Sequence, residues 1–291
     1  MTLEGGGLWP WRVTGLESIG TTGREAMSAR MTQQETISLF KYVPISTRSL
    51  SIIATRKIWC PKPMRFNDPF DCGIDLDGNM TIEEEIQVLR AEMEREHWAP
   101  DKITAQLQRS FTSDRHLNSV ARDNIRKLNT AIHEQRDNAG VLSLSANCES
   151  ILMWSHYAAQ HAGMCVEFLV PLSAGVLPVD YSAAPPHYTL HDIFVKRDSS
   201  ILTLFTTKDQ DWAYEKEYRL VFDRGDFLLD IPGPIRTIIF GMRTTPDDEA
   251  LVRTLAANLG SIRFRRCRKA QDRFAVIIED VQPAEDPRGR D

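Results

Sequence analysis

The feature that most constrains the fold is a change of period at Gly140. Between about residues 80 and 137, apolar side chains recur three and four positions apart on a charged background. After Gly140 the chain becomes a succession of short apolar runs of strand length: 140–145, 164–170, 175–181, 214–222, 234–241, 261–267 and 274–280. Strands grouped in this way build a sheet of their own, and a helical block ahead of them enters as an insertion. The expected class is therefore α+β, a β-rich core with a helical insertion after its first strands.

The helices carry their own signals. Thr81 and Glu84 form a capping box opening a helix with Ile82, Ile86, Leu89 and Met93 on one face. Pro100 begins a second, with Ile103 and Leu107 inward, and a third is expected from about Asp114 to Gln135. A later helix has Thr245 as N-cap, Pro246 as first residue, Asp247 and Asp248 in its first turn, and Gly260 at its end. Ahead of the block, Thr47–Ala54 reads as a helix, Lys57–Cys60 as a strand, and Arg65–Asp71 (RFNDPFD) as a loop with Asx-Pro turn chemistry and Phe70 as its plug. The chain divides into an N-terminal extension (1–36), one α+β domain (37–282) with its insertion at about 80–137, and a C-terminal tail (283–291).

Charge and composition exclude several classes. With 35 Lys and Arg against 40 Asp and Glu, the net charge of −5 argues against a general phosphate-backbone binder. No uncharged apolar run approaches the roughly 18 residues of a membrane span, and no secretory leader is visible. The five cysteines form no CxxC pair and no HExxH pattern occurs, so no metal is expected and the chain reads as a reduced cytoplasmic protein.

Three clusters place polar or aromatic residues inside apolar segments. The first is Asn67-Asp68-Pro-Phe-Asp71. The second is Met153-Trp154-Ser155-His156-Tyr157, followed by His161 and Gly163, read as one helix ended by the glycine. The third is Trp212 to Leu220, with Lys208 upstream. On a strand, Glu215, Glu217 and Arg219 share one face, so both carboxylates reach one small ligand. Paired carboxylates repel, which raises one pKa and suits acid/base or cation-stabilising work; a solvated face with a Glu–Arg pair is the plainer alternative. The second cluster has a core-packing alternative and the first that of a structural Asx-Pro turn, and the Arg263–Lys269 run reads better as a charge-guarded strand edge than as a nucleic-acid contact. No G-x-S-x-G elbow and no phosphate-cradling glycine loop is present.

In this order LFKY, FNDPFD, LSLS, MWSHYA..H.G and W.YEKEYRL resemble the domain-of-unknown-function family 2971, over roughly residues 38 to 245. The chain also resembles the ADP-ribosyltransferase superfamily, which implies a split β-sandwich and three motif positions: Lys41 with Tyr42, Ser143 or Ser145, and Glu217, with Glu215 completing an ExE pair. That resemblance implies NAD as substrate, Glu217 stabilising the ribosyl cation, and a role as a bacterial toxin or defence effector. The ligand-binding set it implies is Lys41, Tyr42, Asn67, Asp68, Ser143, Ser145, Trp154, His156, Tyr157 and Arg219, with the aromatic rings stacking on nicotinamide or adenine. The acceptor is a protein, a nucleic acid or water. The competing reading from another class is a non-catalytic ligand- or nucleotide-binding module.

Overall fold

Thr36–Val43 (β1) lies near the middle of an eight-stranded sheet, and its alternation explains the layers on either side. Ile37, Leu39 and Val43 face the main core, whereas Phe40 and Tyr42 face a second apolar cluster. The computed structural model describes residues 35–281 except 74, 78 and 196–199. The extension and tail expected at the two ends lie outside the described residues, apart from 35 and 36.

The remaining elements are, in order, α1 (Thr47–Ala54), β2 (Lys57–Cys60), β3 (Asp75–Asp77), α2 (Ile82–Arg95), α3 (Pro100–Arg109), α4 (Ser119–Asn138), β4 (Gly140–Ser145), α5 (Ile151–Tyr157), β5 (Met164–Pro171), β6 (Leu177–Pro178), β7 (Asp180–Ser182) and β8 (His187–Thr189). They continue with α6 (Leu190–Phe194), α7 (Ser200–Thr206), β9 (Thr207–Asp209), β10 (Glu217–Phe222), β11 (Phe227–Asp230), β12 (Ile235–Phe240), α8 (Pro246–Ala256), β13 (Arg263–Lys269) and β14 (Val276–Asp280). The large sheet is curled and runs β14-β13-β12-β5-β1-β4-β10-β6. Within it β12 and β13 are parallel, joined through α8, and the other neighbours are antiparallel. The chain is a mixed α+β protein.

One join in this sheet is thin. β1 pairs with β5 along its whole length, but with β4 only at Phe40↔Ser145. Helices α1 and α8 cover one face, burying Ile52, Ile53, Val252 and Ala256 against Leu39, Val166, Phe168, Ile238 and Phe240. The other face carries α5, whose Met153 and Trp154 pack on Tyr42, Cys165 and Ile239.

The structure moves several boundaries. α4 begins at Ser119, five residues later than expected, because Asn118 caps it by accepting from Ala121 N–H at 2.9 Å; Phe111 and Leu117 are bridged across the turn before it. The 175–181 segment is two short strands, β6 and β7, rather than one. α5 stops at Tyr157, because Ala159, Gln160 and His161 all adopt left-handed backbone, well before Gly163. α8 stops at Ala256, although Gly260 does take the left-handed conformation. The expected strand 214–222 starts only at Glu217; Gln210–Glu215 is a 3-10 helix ending at Lys216 with φ of 45°.

The helical block forms its own core, in which Val88, Leu89, Ile103, Leu107, Leu117 and Ile125 close on Leu190, Ile193 and Phe194 of α6. It therefore docks on α6 rather than directly on the sheet. Its last residue reaches the loop after β2, where Lys62 Nζ donates to Asn138 Oδ1 at 2.8 Å. Three of the four β13 arginines are paired: Arg265 with Asp280, Arg266 with Glu249 and Arg268 with Glu279. β13 is not the expected strand edge, since it lies between β12 and β14, and its paired arginines leave no open basic patch at those positions. Among the described residues no helix is long and apolar enough to cross a membrane.

Candidate functional site

Five ionisable side chains from four segments meet under the second face of the sheet. β10 supplies Glu217 and Arg219, the 3-10 turn before it Glu215, β9 Lys208, and the NDPFD loop Asp71; all five are buried. Arg219 organises them. Its Nε donates to Glu217 Oε1 at 2.8 Å and its Nη2 to Glu217 Oε2 at 2.9 Å. Nη1 and Nη2 also donate to Asp71 Oδ1 and Oδ2 at 2.8 and 2.6 Å, and Nη1 to the Phe205 carbonyl at 2.7 Å. A guanidinium has five N–H donors, and all five are engaged. Lys208 Nζ completes the network, 2.6 Å from Glu215, 3.3 Å from Glu217 and 3.4 Å from Asp71.

The local sequence explains this convergence. Residues two apart on β10 share a face, so Glu217 and Arg219 point together. Glu215 joins them by a different route from the expected strand, because the left-handed Lys216 turns the chain between the two glutamates. Ser145 fixes that turn: its hydroxyl donates to the Glu215 carbonyl at 2.5 Å and accepts from Asn147 N–H at 3.0 Å. Lys208 is carried by β9, paired in parallel with β7, where Tyr181 Oη accepts the Glu217 backbone N–H at 2.8 Å. The Lys208 ammonium also lies 4.8 Å from the centroid of the Trp212 ring.

The two glutamates differ electrostatically. Burial pushes Glu217 up, but the charge and hydrogen bonds of Arg219, with Lys208 and Ser143, outweigh it and bring its carboxyl down to about 2. Burial raises Glu215, and here Lys208 and Tyr157 pull back only part of the way, leaving it above the ordinary carboxylate range. Burial alone would lower Lys208, but Glu217, Glu215 and Asp71 hold it protonated. Glu217 is thus held as the anion, and Glu215 is the more readily protonated of the two.

Glu215 is also the glutamate that a half-buried tyrosine reaches. The Tyr157 hydroxyl donates to its Oε1 at 2.7 Å and reaches Asn67 Oδ1 at 3.4 Å; Tyr157 is half-buried and Asn67 exposed. Asn67 and Tyr157, both in the implied ligand-binding set, therefore lie beside Glu215, Asn67 through Tyr157. Asp68 does not join them, since its Oδ1 accepts from Phe70 N–H at 2.9 Å and closes the Asx turn. Asp71, three residues on, is the carboxylate that reaches the site. Phe70 is no plug: its side chain is 83% exposed.

His156 is exposed, packing edge-on against Tyr157 outside the network. Trp154 and Tyr42 are core residues, edge to face at 5.1 Å. Trp154 Nε1 donates to the Cys148 carbonyl and Tyr42 Oη to the Asn147 carbonyl, so neither ring is free to stack on a ligand. Lys41 approaches from the core side at the thin join between β1 and β4, donating to the Ser143 carbonyl at 2.7 Å. Burial lowers its pKa against the opposing pull of Glu217.

Sequence reasoning missed Asp71 and Lys208 as site residues. The signals were present: Asp68 precedes a proline and is committed to the turn, and buried paired carboxylates demand a cation beyond one arginine. Among the described residues no group of three or more His, Cys, Asp or Glu side chains is arranged to hold a metal ion. No family model, curated protein or solved structure matches the chain, so its functional reading rests on the geometry of this network.

Proposed function

We propose that the chain is an NAD-using, ADP-ribosyltransferase-like enzyme of the cytoplasm, built on a split β-sandwich, with Glu217 stabilising the ribosyl cation. The observation that carries this reading is strand order. β1, β4 and β10, which bear Lys41, Ser143 with Ser145, and Glu217, are neighbours in the sheet, and Ser145 pairs directly with Glu217. The thin join between β1 and β4 is where such a sheet would split. Breaking the bond between nicotinamide and ribose builds positive charge on the ribose, and an acceptor then bonds to that carbon and gives up a proton. A fixed anion at Glu217 suits the first demand and a titrating carboxyl at Glu215 the second, the division that glycosyl chemistry asks of two carboxylates.

One observation favours a second reading, a non-catalytic ligand- or nucleotide-binding module: every Arg219 donor is satisfied internally and Glu217 is paired on both oxygens. Incubating the full chain with NAD, with and without cell extract, separates the two. The enzyme reading expects nicotinamide release that falls by ~10²–10³ in Glu217→Gln, about 3–4 kcal/mol of barrier. Folded wild-type protein that releases no nicotinamide under either condition leaves the binding module.

A further inference from the structure

Lys208 touches all three carboxylates of the network, and Arg219 touches only two. The Lys208 ammonium donates to Glu215 and Glu217 at 2.6 and 3.3 Å and lies 3.4 Å from Asp71 as an ion pair. Arg219 spends its donors on Glu217, Asp71 and the Phe205 carbonyl and none on Glu215. Glu217 therefore rests on two cations. Glu215 rests on Lys208 and on the Tyr157 hydroxyl at 2.7 Å.

We propose that Lys208 is the positioning residue of Glu215: Arg219, which pairs with Glu217 and not with Glu215, divides the two glutamates, and Lys208 is the cation that limits the division, holding Glu215 beside Tyr157 as the carboxyl able to exchange protons with the site. Its use in catalysis rests on the enzyme reading above; the division itself does not. Lys208 is buried, and Trp212 lies against its ammonium, so it acts through the glutamates rather than on a ligand. The charged and titratable groups facing the pair come from every neighbouring element: Asp71 from the loop, Tyr157 from α5, Tyr181 from β7, Tyr214 from the 3-10 turn, Arg219 from β10 and Lys41 from β1. Of these, the hydrogen bonds to Glu215 come from Lys208 and Tyr157. The opposite shifts of the two glutamates agree with this arrangement.

The test is a carboxyl titration of the full chain labelled with 13C at glutamate carboxyls, resonances assigned with Glu215→Gln and Glu217→Gln. In Lys208→Met the Glu215 midpoint should rise by about one pH unit or more, because its ionic partner is gone, and the Glu217 midpoint should move less, because Arg219 remains. Equal movement of both, or movement of neither, in folded protein overturns the proposal. Tyr157→Phe, a change at a half-buried position that spares the fold, gives an independent reading: Glu215 should rise and Glu217 stay fixed, and a comparable rise in Glu217 overturns the division. Where nicotinamide release is measurable, the acidic limb of its pH profile should follow the Glu215 midpoint in each variant. Wild-type protein without that activity overturns the enzyme reading alone, since the titrations proceed without it.

Discussion

Removing Arg219 tests the network at its most exacting point. Arg219→Met keeps a long apolar stem and deletes all five donors at once. Asp71 and Glu217 are then left with Lys208 at 3.4 and 3.3 Å, and the Phe205 carbonyl loses the donor now 2.7 Å away. Breaking one buried pair by deleting a partner costs about 3–5 kcal/mol, and an orphaned buried acceptor about 1–3 more. Two carboxylates and a carbonyl are affected here, so the expected loss at pH 7 is on the order of 4–8 kcal/mol, a large share of the roughly 5–15 kcal/mol that holds a folded domain.

The pH dependence carries the sign. In the wild type Glu217 is depressed to about 2 from an ordinary 4.5. Its contribution, about 3 kcal/mol, is fully present above pH 4.5 and is lost as pH falls toward 2. Glu215 is raised and runs the other way, favouring the fold at low pH and losing that share as pH climbs through its folded value. Without the guanidinium, burial prevails at Glu217 too, its folded pKa rises above the unfolded one, and its contribution then declines as pH rises. The gap between wild type and Arg219→Met should therefore be smaller near pH 3–4 than at neutrality. Urea unfolding at pH 4 and pH 7, followed by tryptophan fluorescence, measures both limbs. A loss below about 1 kcal/mol at pH 7, or one equal at the two pH values, would refute the reasoning.

Two further outcomes test the surroundings. Replacing residues 80–137 by a short linker uncovers Leu190, Ile193 and Phe194, which are buried against the block, so the product should bind a hydrophobic dye and aggregate; a soluble monomer without dye binding shows that α6 does not need the block. Thr237 is buried with a hydroxyl that has no partner, so Thr237→Val should raise stability by about 1 kcal/mol in the same urea assay, and any loss contradicts the orphaned hydroxyl.

Much of this fold is legible in the sequence because its strands are short and apolar on the buried side. The segments of β4, β5 and β12 stand where their patterns put them, and the caps at Thr81 and Thr245 mark true helix starts. What the pattern does not carry is the backbone at Lys216. A left-handed lysine costs energy that only tertiary contacts repay, here the Ser145 bond to the Glu215 carbonyl and the Lys216 carbonyl accepting from Ala146 N–H. Read in sequence, Trp154 and Tyr42 suggested stacking platforms, because an aromatic ring in an apolar segment looks the same whether it lines a pocket or fills a core. Glu217→Gln likewise reads from sequence as a change that leaves the fold untouched. The bidentate pair with a fully buried Arg219 means that it also weakens the fold, so activity must be compared in protein shown to be folded.

Stability alone does not account for five ionisable groups in one buried site. Taking charges out of water costs several kcal/mol per ion, and apolar side chains of similar volume often hold a core as well or better. Asp71, Lys208, Glu215, Glu217 and Arg219 compensate for that cost only by close mutual geometry, which ties the NDPFD loop, β9 and β10 into one register. The arrangement also leaves the two glutamates unequal. The depressed Glu217 stabilises the fold at neutral pH, whereas the raised Glu215 does not, and it is Glu215 that bonds a half-buried tyrosine. Inequality of this kind is what proton-handling chemistry requires, and it is the physical reason to look for a reaction at Glu215 and Glu217 rather than to read them as a structural ion cluster.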